Sequence, residues 1–318
     1  MSPWSPQSLR LLDSGRRVRF QGVDLVITAA CSLAALALVG PARWAPGALP
    51  CAAGFTVFAL GMLLLRTLQA TWPRKRPLRW MADFWLLPVA YVGHELLNPL
   101  VDAFNPVLRD GQLAAIEHRL FGFQVSVLVS NAVPPWLMDV LMVCYYGHFV
   151  WAVALAVVLY RRQRTAEFDE FVLALGLFLA LGFAAYIVVP AIGPRLFLLG
   201  AFSGPLAGAV LTPYLDSLML TPGFIRDCFP SGHTGATLLV LFYAFRFSRR
   251  VFWTMLLPGL GLIAATLAGR FHYATDLVAV LPLVMVVVGL AMTFSRVESR
   301  RRSFASERSV PMDAILRP

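Results

Sequence analysis

The sequence predicts an all-α, polytopic membrane helix bundle with about eight transmembrane helices. Hydrophobic residues make up 58% of the chain and charged residues only 14%, against roughly 45–50% and 25% in soluble domains. The apolar residues also gather into long runs, and about eight of these are long enough, or nearly so, to cross ~30 Å of hydrocarbon as helices. A soluble globular protein is therefore excluded.

The predicted spans follow one another with few long connections. They lie near residues 22–40, 49–66, 80–101, 135–160, 169–190, 231–247, 251–269 and 275–294. The first is predicted to be retained and not cleaved as a signal peptide, because no clear small-residue cleavage site precedes the further apolar runs. Pro258 predicts a kink in the seventh span.

Arginine clusters predict the orientation of the spans. The net charge of +10 comes almost entirely from arginine, and Lys75 is the only lysine. The clusters are centred on Arg17, Arg76, Arg162, Arg249 and Arg301. All of them fall on one side of an eight-span arrangement, which the positive-inside rule assigns to the cytoplasm. We therefore expect a multi-pass cell (inner) membrane protein with both termini cytoplasmic. Nucleic acid is not an expected partner, because the arginines lie between apolar runs and not on one polar domain.

Two short segments place histidines at the ends of predicted spans, on the side of the membrane opposite the arginine clusters. The sequence PSGH at residues 230–233 puts His233 just inside a helix start, where serine is a favoured N-cap. The sequence RFHYATD at residues 270–276 puts His272 and Asp276 four residues apart, on one helical face. One imidazole can attack phosphorus, a carboxylate can hold its tautomer, and a second imidazole can protonate the leaving oxygen. This pattern predicts phosphoryl transfer through a phosphohistidine.

These segments resemble the second and third signatures of the phosphatidic acid phosphatase type 2 superfamily. The sequence VPAIGPR at residues 189–195 is similar to the first signature as written in its inositol-phosphotransferase-like branch, which includes inositol phosphorylceramide synthases. The resemblance extends more loosely from about Arg79 to Leu283, and residues 110–122 are similar to the stretch such proteins carry before their central spans. It implies a six-helix phosphatase-type core preceded by further spans.

The residue chemistry and the resemblance together give a set of site residues. His272 is the expected nucleophile, Asp276 orients it, and His233 is the expected acid and base. Arg195 and Arg270 are expected to bind the phosphoryl oxygens, because a guanidinium suits bidentate phosphate binding. No metal or other cofactor is expected, since the site lacks a carboxylate cluster suited to Mg²⁺.

The helix start near Ser231 adds to the predicted phosphate site. Two positions of this sequence depart from the family pattern. Ser231 and Gly232 are expected to offer free N–H groups at a helix N-terminus, which favours anions. The family's first motif has a lysine seven residues before its arginine, and its third usually has an arginine six residues before its histidine. These positions are Val188 and Thr266 in this sequence.

Polar residues inside the spans are candidates for a substrate pocket. His94, Glu95 and Asn98 lie toward the outer end of the third predicted span, and His148 lies in the fourth. Ionisable residues at membrane depth are functional candidates by default. Hydrogen bonding between helices is the alternative interpretation, and it stays open here.

We expect a cytoplasmic segment, 1–21, a transmembrane catalytic domain, 22–294, with its core at about 80–294, and a basic, disordered tail, 295–318. Residues 103–133 are expected to lie along the bilayer, and residues 196–227 form an external loop long enough to act as a lid. The favoured function is a lipid phosphatase acting at the extracytoplasmic face, with a lipid phosphate and the bilayer as partners. A lipid phosphotransferase of the inositol phosphorylceramide synthase type, or a non-catalytic transporter or structural protein on the same fold, are alternatives.

Overall fold

Helices form nearly all of the regular structure in the computed structural model, which describes residues 20–219 and 226–307. The described helices are α1 Gly22–Val39, α2 Ala48–Thr71, α3 Arg76–Asp83, α4 Leu86–Glu95, α5 Asn98–Phe104, α6 Asp110–Phe121, α7 Val125–Ala132, α8 Pro135–Tyr146, α9 His148–Arg161, α10 Thr165–Val188, α11 Pro194–Phe197, α12 Thr212–Met219, α13 Gly232–Phe247, α14 Arg249–Ala268 and α15 Ala274–Glu307. Short 3₁₀ turns occupy Pro41–Arg43 and Leu199–Ala201. The predicted all-α class is confirmed.

The number of spans differs from the prediction. Within the described residues, 5 helices (α1, α2, α10, α14 and α15) are long and apolar enough to cross a membrane, or up to 6 if α8 and α9, bent by 45°, form one span. Helix α13 has 16 residues, which at 1.5 Å per residue is about 24 Å. The chain is a polytopic helical membrane protein, and its described residues do not contain eight uninterrupted spans.

Prolines explain why the third predicted span, residues 80–101, is broken into α3, α4 and α5. A proline inside a helix clashes with the carbonyl group four residues earlier. For Pro88 that residue is Phe84, where α3 ends, and for Pro99 it is Glu95, where α4 ends. The apolar character of the segment is correctly recognised from the sequence, but its continuity is not.

The arginine-rich helix ends gather at one end of the bundle. Arg164, just before α10, donates a hydrogen bond of 3.2 Å to the carbonyl oxygen of Phe247 at the end of α13. Arg246 of α13 pairs with Glu170 of α10 at 2.6 Å. The candidate site residues lie at the opposite ends of the same helices, after α10, at the start of α13 and between α14 and α15. The cationic residues and the histidine motifs are therefore separated by the length of a membrane helix.

A buried arginine holds the N-terminal helices together at the cationic end. The Arg66 side chain is only 3% exposed, and it lies 2.7 Å from a carboxylate oxygen of Asp24 on α1 and 2.7 Å from one of Asp83 on α3. Gln21 and Gln69 accept two further hydrogen bonds from its guanidinium group. One charge thus fixes α1, α2 and α3 to each other, since a buried ion is tolerated only when its partners are in place.

The first part of the expected tail is helical. Helix α15 continues to Glu307, whereas disorder was expected from Ser295 onward. Arginine and glutamate are good helix formers, so a helix begun in the membrane is propagated through this charged segment. Residues 1–19 of the expected N-terminal segment and residues 308–318 of the tail lie outside the described residues.

Candidate active site

His272 lies in the turn between α14 and α15 and is 4% exposed. Its Nδ1 atom is 2.8 Å from the carbonyl oxygen of Cys228 and 3.4 Å from Oδ2 of Asp276. A carbonyl oxygen can only accept a hydrogen bond, so Nδ1 of His272 carries the proton. In the neutral ring, Nε2 is then the unprotonated nitrogen with a free lone pair.

The Asp276 carboxylate is fully buried and is held by three neighbours. Its Oδ2 atom accepts a hydrogen bond of 2.8 Å from the backbone N–H of Tyr273 and one of 3.0 Å from the Cys228 thiol. Burial raises the pKa of Cys228 well above its usual range, so this thiol stays protonated and donates. The sequence analysis gave Cys228 no role in the site. Its position two residues before the PSGH segment was the available signal.

His233 lies in the first turn of α13, as predicted, and Ser231 is the N-cap. The Ser231 hydroxyl accepts a hydrogen bond of 3.3 Å from the N–H of Thr234. The ring centroids of His233 and His272 are 6.2 Å apart, so the two histidine motifs meet although 39 residues separate them in sequence. Tyr145 stacks on the His233 ring with a centroid distance of 4.5 Å.

Two of the candidate pocket residues also lie at this site. The His148 ring centroid is 4.6 Å from that of His233, and its Nδ1 atom is 3.0 Å from the carbonyl oxygen of Tyr145. His94 Nε2 lies 3.0 Å from Asp227 Oδ2, and Asp227 directly precedes Cys228. His94 and His148 thus join the two motif histidines around one region.

The other two pocket candidates are less central. The Glu95 side chain is 49% exposed, and its Oε1 atom lies 3.6 Å from Nδ1 of His94. Asn98 begins α5, and its side chain lies outside the described part of the structure.

Arg195 is the second residue of the short helix α11, beside the histidine turn. Its backbone N–H donates a hydrogen bond of 2.8 Å to the carbonyl oxygen of Arg270, and its guanidinium lies 5.7 Å from the ring centroid of Phe271. The preceding Gly193 has φ of 83°, and a Cβ atom there would be 2.6 Å from the carbonyl oxygen of Phe271. Glycine is therefore required at this position for the close approach of the two segments.

The Arg270 side chain is held by protein groups. Its Nε donates a hydrogen bond of 2.8 Å to the hydroxyl of Ser130 on α7, and its Nη1 donates one of 2.8 Å to the carbonyl oxygen of Gly204. The guanidinium also stacks on Phe202 at 4.2 Å. The backbone of Arg270 has φ of 67°, a left-handed conformation that few non-glycine residues adopt. The sequence pattern did not indicate any of these contacts.

Residues 198–219, the cover segment, lie over both arginines. Asp139 on α8 accepts hydrogen bonds from three consecutive backbone N–H groups at the start of α12, including that of Thr212 at 2.8 Å. The Tyr146 hydroxyl donates to the carbonyl oxygen of Leu215 at 2.5 Å. Part of the predicted external lid loop is therefore an ordered structure anchored on α8.

Two buried acids on α6 fix the loops that carry the site. Asp110 accepts hydrogen bonds from the N–H groups of Ile192 at 3.0 Å and Gly193 at 2.8 Å, and from the Tyr273 hydroxyl at 3.1 Å. Glu117 accepts a hydrogen bond of 2.7 Å from the N–H of Ala274 at the start of α15. Burial raises the pKa of Glu117. The sequence analysis placed both acids in the family-like stretch 110–122 but gave neither a role in the site, although acids seven residues apart share one helical face.

The buried triad could also be considered as a metal site. One ligand atom each from Cys228, His272 and Asp276 lies within 4.8 Å of the other two. Their mutual hydrogen bonds, described above, are sufficient to explain this proximity. The expectation that no metal or other cofactor takes part remains a prediction.

A family model described as the PAP2 superfamily matches residues 111–290, which is more than half of the chain. The chain belongs to the PAP2 superfamily. No curated protein and no solved structure matches it. The PAP2 match contains both histidine motifs and Arg195, whereas helices α1 to α5 precede it. Membership in the PAP2 superfamily, whose members are generally phosphoesterase hydrolases, suggests a phosphatase-type function.

Proposed function

We propose that this PAP2 protein is a membrane lipid phosphatase that works through a phosphohistidine on His272. The observation that carries the proposal is the Nδ1 contact with the Cys228 carbonyl oxygen at 2.8 Å and with Asp276 at 3.4 Å. It leaves the lone pair of Nε2 available for attack on phosphorus. Asp276 stabilises the positive charge that the ring gains as the bond forms.

The reaction is a double displacement. Nε2 of His272 bonds to phosphorus while the bond from phosphorus to the lipid oxygen breaks, and protonated His233 donates a proton to that oxygen. Water then attacks the phosphohistidine, and neutral His233 takes the proton from the water. The products are the dephosphorylated lipid and inorganic phosphate, and both histidines return to their starting state. Ring centroids 6.2 Å apart support a phosphoryl group that contacts both imidazoles.

Arg195 and the backbone N–H groups near Ser231 and Gly232 stabilise the phosphoryl oxygens as charge develops. The helix N-terminus capped by Ser231 supports the second contribution. Arg270 contacts the phosphate only after exchanging its bonds to Ser130 and Gly204. Otherwise it acts by holding the turn that carries His272.

His148 and His94 line the side of the site that meets the rest of the substrate, and Glu95 lies beside His94. Asn98 stays a predicted pocket residue. The proposed location is the extracytoplasmic face of the cell membrane, with both termini in the cytoplasm. The separation of the arginine-rich helix ends from the histidine motifs supports this orientation, because arginines concentrate on the cytoplasmic side.

A lipid phosphotransferase of the inositol phosphorylceramide synthase type is the second candidate function. In that case an alcohol and not water attacks the phosphohistidine. The cover segment favours this reading, because a site shielded from bulk water protects a reactive intermediate from hydrolysis. The similarity of residues 189–195 to the first signature of that branch points the same way.

The test is a panel of lipids incubated with the purified full-length protein: phosphatidate, phosphatidylglycerol phosphate, a polyprenyl pyrophosphate, and phosphatidylinositol with ceramide. Free phosphate and transferred headgroup are both measured, with His272→Ala as the control. Phosphate release that His272→Ala abolishes is the expected result. Headgroup transfer without phosphate release would favour the phosphotransferase. Neither product from any lipid would favour a non-catalytic protein on the same fold.

A further inference from the structure

An apolar groove of about 600 Å³ runs along the N-terminal helices. It is bordered by residues 26–37 of α1, by α4 and α5, and by residues 176–187 of α10, and every lining residue is hydrophobic or glycine. The lining stretches of α1 and α10 each rise through eleven residues, a length of about 16 Å. Leu33 is 67% exposed and Phe104 54% exposed. The groove is therefore open toward the surrounding bilayer.

One end of the groove adjoins the candidate active site. Gly93 lines the groove, and the next residue, His94, pairs with Asp227 directly before Cys228. On the opposite wall Phe183 lines the groove, and its ring lies 6.1 Å from that of His94.

A second contact joins the groove wall to the PSGH segment. The ring of Phe183 lies 6.1 Å from that of Tyr186. The Tyr186 hydroxyl lies so close to Gly232 that a Cβ atom there would be 2.5 Å from it. The groove thus reaches the segment that carries His233 at two points, through Asp227 and through Gly232.

Resting on the proposed function, we propose that this groove holds the hydrocarbon chain of the substrate lipid while its phosphate lies between His233 and His272. An occupant at membrane depth must be apolar, because the lining offers no polar side chain to bind anything else. Burying a chain gains free energy for every methylene group, which anchors a lipid far more strongly than its headgroup alone. Most of the groove is built by α1, α4 and α5, which lie outside the PAP2 match. These helices therefore add a chain-binding subsite of this protein's own.

The first test fills the groove. Ala184 lines it from α10 and is exposed, so Ala184→Phe places a ring in the groove without disturbing the core. The matched control is Ala264→Phe, at an exposed position of α14 away from the groove. We expect Ala184→Phe to lower kcat/KM for dioleoyl phosphatidate about tenfold, the effect of excluding roughly two methylene groups. Dihexanoyl phosphatidate should be hydrolysed at the parental rate, and Ala264→Phe should match the parent on both. An equal loss on both lipids, or no loss, would overturn the proposal.

The second test does not depend on turnover. Phosphatidate with a diazirine in one acyl chain is photolysed with the His272→Ala protein in nanodiscs, beside the matching diacylglycerol without phosphate. We expect the phosphate-bearing probe to label α1 and α10 peptides preferentially, and Ala184→Phe but not Ala264→Phe to reduce that label. Equal labelling by both probes, unchanged by Ala184→Phe, would contradict the groove assignment. Preferential labelling without phosphate release from any lipid would instead count against the proposed phosphatase while the groove assignment stands.

Discussion

The guanidinium of Arg195 is paired with the carboxylate of Asp216, with 2.6 Å between Nη1 and Oδ1. Asp216 lies on α12 in the cover segment, and α12 is anchored to α8 by Asp139. A carboxylate therefore occupies the position beside Arg195 that a phosphoryl oxygen would take, because both anions suit the same forked donor. Substrate phosphate must compete with Asp216 for this arginine.

Asp216→Asn should therefore bind substrate more tightly. The substitution keeps the shape of the side chain and removes the charge that competes for Arg195. We expect KM to fall by about two- to fivefold. The two side chains are only 18% and 21% exposed, so their pairing should reach the upper part of the ~0.2–1 kcal/mol typical of exposed ion pairs. Asp102→Asn is the control, because Asp102 pairs with Arg226 and not with a site residue. A KM that stays at the parental value would show that Asp216 does not compete with the substrate.

Removing Arg195 should affect turnover more than binding. Val188 replaces the lysine of the family pattern, and its side chain is 68% exposed, so Arg195 has no help from that position. Arg195→Ala is expected to lower kcat more than it raises KM, because the charge it meets is largest in the transition state. Arg195→Lys should rescue poorly, since an ammonium cannot reproduce the bidentate fork. A change confined to KM would instead place Arg195 in ground-state binding alone.

Arg270 is expected to act through the turn that it holds. Arg270→Ala should lower kcat, and so should Ser130→Ala, which removes only the partner of Arg270 Nε. Because a hydrogen bond to a charged group is lost, we expect Ser130→Ala to lower kcat by about tenfold. Steady-state kinetics on the best lipid distinguish the two roles. If Ser130→Ala keeps the parental kcat while Arg270→Ala does not, Arg270 contacts the phosphate directly.

The acids on α6 should position the site without touching substrate. Asp110→Asn places an amide donor against the N–H groups of Ile192 and Gly193, and Glu117→Gln weakens the bond to Ala274. We expect each to lower kcat by about ten- to a hundredfold, the cost of small misplacement of reacting groups, with KM within a factor of about three. The melting temperature is measured in parallel. Loss of kcat that merely follows loss of folded protein would assign these acids to stability and not to positioning.

The sequence could predict the histidine pair because each motif is short and contiguous. The PSGH and RFHYATD segments determine where His233, His272 and Asp276 lie relative to their own helices. Only the proximity of the two segments had to come from the structure. Cys228 was missed because its link to Asp276 crosses 48 residues. Asp110 was missed for the same reason, since its bonds to Ile192 and Gly193 cross more than 80 residues. A single sequence does not show which residues meet across so many positions of the chain.

The broken third span shows a different limit. Pro88 and Pro99 were visible in the sequence, and their effect on the carbonyl groups of Phe84 and Glu95 is local. Proline is nevertheless tolerated in many membrane helices, because neighbouring groups satisfy the freed backbone. Hydropathy averaged over a window of about 20 residues therefore predicts a continuous span here. Whether the chain bends or breaks depends on the packing of α4 against α2 and α10.

Substitutions of the histidines and Asp276 should separate the steps of the proposed reaction. Asp276→Asn removes the acceptor that orients His272 and is expected to lower the rate by about 10⁴, as loss of the orienting carboxylate does in a serine-protease triad. His233→Ala removes the general acid and base, so the phosphoenzyme should form slowly and persist. His272→Ala removes the nucleophile and should abolish turnover. Rate measurements on all three proteins with one lipid check this order.

Trapping of the phosphoenzyme tests the central claim most directly. The parent protein, His233→Ala and His272→Ala are mixed with a lipid whose phosphate is radiolabelled, quenched in alkali, in which phosphohistidine is stable, and digested for mass spectrometry. We predict alkali-stable label on His272, most abundant in His233→Ala and missing from His272→Ala. Full turnover by His272→Ala, or label that stays on the protein when His272 is replaced, would contradict the phosphohistidine mechanism.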